Sequence, residues 1–286
     1  MKKLLRWLGF GVLLAVVLAG SAVAFAYLST EPLIRRHYDL SLRPIAVPTD
    51  DEAAIAEGRR LALVRGCFDG CHGKGVSGAE FWVEPWVARL VAPELTQVFA
   101  RHSDSELERI IRRGVRKDGT STWGMPSSMF YHLSDDDLGK IVAFIRSLPL
   151  GDGPVAEVWI GPLWRLDLLH DRFLPYAEEI VRDAPWMTAE DMQGEHGRGR
   201  YLALTVCTEC HSMDLNGAPD GSAPNLAIVV AYSEPQFAKL MRTGVPLGGQ
   251  KLGLMELVAI ERFSNFTEDE VRDLYGYLVA RAKELP

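Results

Sequence analysis

A chain of 286 residues, 48% apolar and 24% charged, is too hydrophobic to be disordered and long enough for two ordinary domains. Its net charge of −7 argues against a nucleic-acid partner and suits one with a basic docking patch.

The N-terminus opens on Lys2, Lys3 and Arg6, after which Trp7 to Leu28 runs 22 residues without a charge. About 20 apolar residues span a bilayer as a helix, so residues 1–28 read as a membrane anchor. A cleaved secretory signal is the competing reading, because Ala22-Val23-Ala24 and Ala24-Phe25-Ala26 resemble cleavage sites. The basic start places the N-terminus in the cytoplasm, although Arg35 and Arg36 weaken that signal. Either way the rest of the chain is expected outside the cytoplasm. Residues 29–51 form a juxtamembrane linker.

A helix is predicted over about 51–66, leading into Cys67-Phe68-Asp69-Gly70-Cys71-His72. A middle helix over 103–113 and a final one over 134–147 complete a first unit, 52–149. Residues 150–189 read as an inter-domain strap, too apolar at Val158 to Leu166 for a free linker. A docking surface is the other reading of this segment. The second unit, 190–286, repeats the order with helices over 190–206, 233–243 and 267–283. Acidic clusters after Ser134 and Thr267 mark both final helices as N-capped starts. The architecture expected is all-α: two tandem units after an N-terminal hydrophobic helix, with loops carrying the site residues and little β-structure.

The four cysteines are all placed in motifs. Cys207-Thr208-Glu209-Cys210-His211 has the C-x-x-C-H spacing of c-type haem attachment. Two thiols about one helical turn apart add to the two vinyl groups of a porphyrin, and the adjacent imidazole binds the iron from below. The first motif has one extra residue, which Gly70 could absorb in a local bulge because glycine tolerates strained dihedrals. Disulfides would not explain a histidine after each pair. Adjacent Cys and His fit a zinc tetrahedron poorly, and a thioredoxin-type motif expects a βαβ pattern that is not seen. Cys67, Cys71, Cys207 and Cys210 therefore hold two covalent haem c groups, with His72 and His211 on the irons.

The chain also repeats itself. Gly58-Arg59-Arg60-Leu61-Ala62-Leu63 matches Gly199-Arg200-Tyr201-Leu202-Ala203-Leu204, and Ala92-Pro93-Glu94-Leu95 matches Ala223-Pro224-Asn225-Leu226. Arg112-Arg113-Gly114-Val115 matches Arg242-Thr243-Gly244-Val245, an offset of 130 that also carries Met125 onto Met255. Methionines usually fill core gaps. The repeat singles out Met125 and Met255 as thioether ligands opposite the histidines, a pairing that raises haem potential. Met129 rivals Met125; Met241 and Met213 are weaker rivals of Met255.

With these residues the chain resembles dihaem class I-type c cytochromes, especially membrane-associated cytochrome c subunits that accept electrons from periplasmic dehydrogenases. Besides the two motifs, Met125-Pro126 and the Leu-Ser-Asp-Asp-Asp-Leu run at 133–138 carry the likeness, which covers about 52–149 and 190–286. The departures are the extra residue of the first motif and Glu256 in place of proline after Met255. The resemblance implies that a glycine of the first helix packs on an aromatic of the last, here Gly58 on Phe144 and Gly199 on Tyr277. It implies an electron carrier with no catalytic residue, working between a dehydrogenase donor and an oxidase or another cytochrome. The expected place is the bacterial cytoplasmic membrane, single-pass, with haem domains in the periplasm, or free there if the N-terminus is cleaved. A dihaem cytochrome c peroxidase is the alternative; His37, His102, His132, His170 and His196 are unassigned, and none sits in a recognisable distal motif.

Overall fold

The computed structural model describes residues 2–183 and 192–284. Helix α1 (Lys2–Ile34) is continuous and ends six residues beyond the predicted segment 1–28. The stretch after it is not a free tether. His37 bridges to Thr120, and Ile45 and Val47 pack on the core of the first unit.

The first unit begins with α2 (Glu52–Val64), capped by the Asp51 carboxylate, which accepts from the Ala54 N–H at 3.0 Å. A hairpin follows, β1 (Ala79–Glu84) and β2 (Ala88–Ala92), then α3 (Leu95–Arg101), α4 (Asp104–Arg113), the short α5 (Ser127–Phe130) and α6 (Asp135–Ser147). Ser134 caps α6 by accepting from Asp137 N–H, as the acidic start of that helix predicts. Next come β3 (Glu157–Ile160), α7 (Pro162–Leu168) and α8 (Tyr176–Asp183). After residues 184–191, which hold the end of the strap and the expected start of the next helix, the described chain resumes. It forms α9 (Gly197–Val206), α10 (Thr208–His211), α11 (Glu234–Thr243), α12 (Leu254–Glu261) and α13 (Glu268–Glu284).

The all-α expectation needs one correction. β1, β2 and β3 form an antiparallel sheet with β2 in the middle, Arg89 facing Trp159 and Ala88 facing Ile160. The physical reason lies in composition: Phe81-Trp82-Val83, Leu90-Val91 and Val158-Trp159-Ile160 are aromatic and β-branched runs that favour the pleat. The described part of the strap is thus a third strand plus two helices laid on the first unit, with α7 against α1 and α8 against α5.

In each unit the first and last helices cross at a glycine. A Cβ on Gly58 would stand 2.0 Å from the Lys140 carbonyl oxygen and 3.1 Å from Phe144 Cβ. One on Gly199 would stand 2.1 Å from the Asp273 carbonyl oxygen and 2.6 Å from Tyr277 Cβ. The Arg-x-Gly-Val repeat is likewise structural, since Gly114 (φ 64°) and Gly244 (φ 70°) end α4 and α11 in the left-handed conformation. Arg60 ties the two units by pairing with Glu270 at 2.7 Å, and the Tyr201 hydroxyl donates to Asp137 at 2.6 Å.

Candidate haem sites

The two cysteine motifs reach similar ends by different backbones. In the second, α10 is a single helical turn: the Cys210 and His211 N–H groups both donate to the Cys207 carbonyl, at 3.2 and 3.0 Å. Cys207 and Cys210 therefore project from one turn, as paired attachment requires.

The first motif is a loop. Its extra residue is absorbed at Asp69, which takes the left-handed φ of 56°, and not in the dihedrals of Gly70, as the sequence suggested. Asp69 can do this because its short carboxylate bonds locally, accepting from the Gly75 N–H at 2.6 Å. Gly70 is needed for another reason: a Cβ there would lie 2.4 Å from the Gly66 carbonyl oxygen. That carbonyl also accepts the Cys71 N–H at 3.0 Å, which closes the loop.

Each histidine is held in the same way. His72 Nδ1 lies 2.9 Å from the Pro93 carbonyl oxygen, and His211 Nδ1 lies 2.8 Å from the Pro224 carbonyl oxygen. A carbonyl only accepts, so Nδ1 carries the proton in both rings and Nε2 keeps its lone pair. Burial lowers both imidazole pKa values, more than the carbonyl contact raises them, and keeps the rings neutral. Neutral imidazole with a free Nε2 is the form that binds iron, and a backbone carbonyl on the other nitrogen is the usual orienting partner. The residue after each proline is a cap: Glu94 starts α3 by accepting from Thr96 and Gln97 N–H, and Asn225 starts a short 3-10 helix, Leu226–Ala231, by accepting from Ala227 N–H. This explains why Ala-Pro-Glu/Asn-Leu repeats.

Cys67, Cys71 and His72 open into an apolar cavity of about 410 Å³ that Met125 also lines. Phe81 of β1, Leu90 and Val91 of β2 and the aliphatic side of α6 are among the rest of the lining, so the unforeseen sheet is a wall of this chamber. Met129 is not among the lining residues; it is buried to 1% exposure between Phe130 and Leu133. In the second unit Met255 and Cys207 are each half-buried against the same core, whereas Met241 is buried within that core and Met213 is 39% exposed. Met255 stands in the first turn of α12, not in the loop that was expected.

All four thiols are unpaired. Burial pushes Cys67 up to about 11, helped by the neighbouring Cys71, and Cys207 up to about 12, helped by Cys210. Such thiols lack the depressed pKa of dithiol redox motifs. Among the described residues no three His, Cys, Asp or Glu side chains converge as a metal cage. Paired neutral thiols beside an imidazole with a free Nε2, facing an apolar chamber that a thioether also lines, suit a covalently attached haem in the first unit. The second motif offers the same donors in the same order.

Several residues escaped the sequence reading. The Pro93 and Pro224 carbonyls were visible only as a repeat, since backbone roles leave no side-chain signature. His102 lines the first cavity with its Nδ1 2.7 Å from the Val98 carbonyl oxygen. Arg262 links the two motifs, its guanidinium reaching Glu209 at 3.1 Å and Cys71 Sγ at 3.4 Å.

Comparison with known proteins agrees with this chemistry. The cytochrome c family model matches residues 55–149. This stretch is similar to a cytochrome c domain. The cytochrome c subunit of a quinone alcohol dehydrogenase from Komagataeibacter europaeus is 24% identical over 281 residues, covering 84% of this chain and 57% of that protein. Its counterpart from Gluconobacter oxydans (strain 621H) is 26% identical over 176 residues, covering 57% of this chain and 36% of that protein. The chain spans little more than half the length of the first of these curated relatives. These likenesses support a c-type cytochrome with haem c that transfers electrons and is not itself an enzyme.

Proposed function

We propose that this chain is a dihaem electron carrier, with one haem c on Cys67 and Cys71 and a second on Cys207 and Cys210. The reading rests most on one repeated observation: both motif histidines hold Nδ1 against the carbonyl of the proline in an Ala-Pro pair. Haem supplies a one-electron couple whose potential follows its axial ligands and burial. The chain's own work is to fix those terms. Pro93 and Pro224 aim the imidazoles, Met125 and Met255 offer thioethers, and α2, α6 and β2 keep water from the first chamber.

His72 with Met125, and His211 with Met255, would hold the two irons, and the haems would then supply electron transfer without a substrate site. The matched relatives are subunits of a quinone alcohol dehydrogenase, and by likeness the donor here is a dehydrogenase partner, with a respiratory acceptor downstream. The units described as 52–149 and 190–286 would each carry one haem.

Anchoring by α1 is part of the proposal. Its last turns are docked on the body: Thr30 accepts from Arg165 Nη1 at 3.0 Å, Glu31 pairs with Arg165 at 2.9 Å, and the guanidinium stacks 4.0 Å over Tyr27. Cleavage after Ala24 or Ala26 would cut the helix beside these contacts, so they favour an uncleaved helix with the haem units in the periplasm.

The test is the sulfur-to-iron charge-transfer band of the oxidised protein, a mark of Met/His coordination. Met125→Ala and Met255→Ala should each remove part of it, and Met129→Ala should leave it whole. An unchanged band in both of the first two variants contradicts the ligand assignment.

A further inference from the structure

The apolar run of α1 ends at Leu28, and at 1.5 Å per residue its 22 residues cover about 33 Å, the thickness of a bilayer core. Ala22 and Ala26, in the last turns of this run, form one wall of a second cavity, of about 670 Å³. Trp86, Trp159, Leu163 and Leu166 also line it, and among the described residues no charged side chain does. All four of these large residues are also open to solvent, at 70%, 43%, 50% and 47% exposure.

The patch is rigid. Trp86 sits at the tip of the β1–β2 hairpin with φ 68°, and the tip is sewn to the start of α7 by backbone bonds. Gly161 N–H donates to the Val87 carbonyl at 2.7 Å, and Leu163 N–H donates to the Trp86 carbonyl at 3.0 Å. A Cβ at Gly161 would stand 2.4 Å from the Trp86 carbonyl oxygen and 2.7 Å from the Trp159 ring, so the Trp86 backbone and the Trp159 indole close on the same glycine. Leu163 and Leu166, three apart, share a face of α7. Arg165, on the same helix, turns inward to Thr30 and Glu31.

Exposed tryptophans beside the end of an apolar helix have a specific physical meaning. Indole is amphipathic and collects where hydrocarbon meets headgroups, and a contiguous exposed apolar patch marks an interaction surface. Whatever covers this one must sit directly against the final apolar turns of α1, at the depth of the lipid headgroups.

We propose that this surface is a second membrane contact: acyl chains of the outer leaflet fill the groove beside α1, and Trp86, Trp159 and the Leu163/Leu166 face of α7 rest in the bilayer interface. The inference rests on α1 being a retained anchor. Its consequence is orientational. A single helix, even docked on the body, can tilt and rotate in the bilayer and carry the haem units with it, whereas two contacts hold the first unit at a fixed height and angle above the membrane. The sheet behind the patch is the wall of the first haem chamber, so the contact sets how that chamber faces the plane of the bilayer.

The test uses the full-length holoprotein in phosphatidylcholine and phosphatidylglycerol nanodiscs doped with a phosphatidylcholine carrying a diazirine on its acyl chain. After illumination, lipid adducts are mapped by peptide mass spectrometry, and the N-terminus is read from the same digest. The proposal expects adducts on peptides covering 82–86 and 159–166 as well as on α1, with a several-fold loss at α7 in the double variant Leu163→Gln, Leu166→Gln while the haem spectrum is unchanged. Adducts confined to α1 overturn it and leave the anchor standing. A mature N-terminus at residue 25 or 27 overturns both. Cross-links from this patch to a co-isolated protein chain in place of lipid also overturn it, and make the face a subunit interface.

Discussion

Arg262 extends its guanidinium from the end of α12 to within 3.4 Å of the Cys71 sulfur. On the way it pairs with Glu209, inside the second motif, at 3.1 Å. The two attachment loops are therefore joined by one side chain. Gly66 makes room for it, since a Cβ there would lie 2.4 Å from the guanidinium carbon. Arg262 is mostly enclosed, and its charge is retained through Glu209 despite the cost of burial. A fixed cation beside the first attachment favours the reduced haem, which carries one positive charge less than the oxidised one. Arg262→Gln should lower the midpoint potential of the first haem more than that of the second, and slow electron equilibration between them. Potentiometric titration and flash-induced electron transfer read the two effects; unchanged potentials would remove Arg262 from the account.

The glycine crossings predict stability. Gly58→Ala and Gly199→Ala each force a methyl into a carbonyl oxygen of the facing helix, and overpacking of this kind costs about 1–3 kcal/mol. Each substitution should also loosen its own unit selectively: Gly58→Ala the α2–α6 crossing, Gly199→Ala the α9–α13 crossing. Denaturant unfolding of the holoprotein, followed at each haem's spectrum, checks both the size and the selectivity.

Glu179 predicts a pH effect. Burial raises its pKa to about 7, against a weaker lowering by a hydrogen bond to Ser128. Between the unfolded carboxylate value of about 4.5 and about 7, the folded chain therefore holds a proton that the unfolded chain has released. The stabilisation is complete below the unfolded value and is lost as pH rises through 7. Glu179→Gln keeps the neutral form at all pH values, so its unfolding free energy should fall less than the native protein's over this window. Equal slopes would show that Glu179 is solvated.

Much of this arrangement could be read from residues alone. The Cys-His motifs, the Ala-Pro repeat, the Arg-x-Gly-Val helix ends and the Ser134 cap are local patterns, and their geometry follows from the few residues that compose them. What escaped was non-local or carried by the backbone. β3 finds β2 across 65 residues, and nothing in Val158-Trp159-Ile160 names its partner. The proline carbonyls act without their side chains. Asp69 took a conformation that the neighbouring glycine seemed better suited to accept, because the carboxylate could bond Gly75. Arg262 sits in a stretch with no counterpart in the repeat, so its bridge to Cys71 appears only once both units are folded together.

The most direct measurement is intact and peptide mass spectrometry of the mature holoprotein. The account predicts a mass increased by two haems, with one haem on the peptide holding Cys67 and Cys71 and one on the peptide holding Cys207 and Cys210. Free thiols or disulfides at either pair would contradict it.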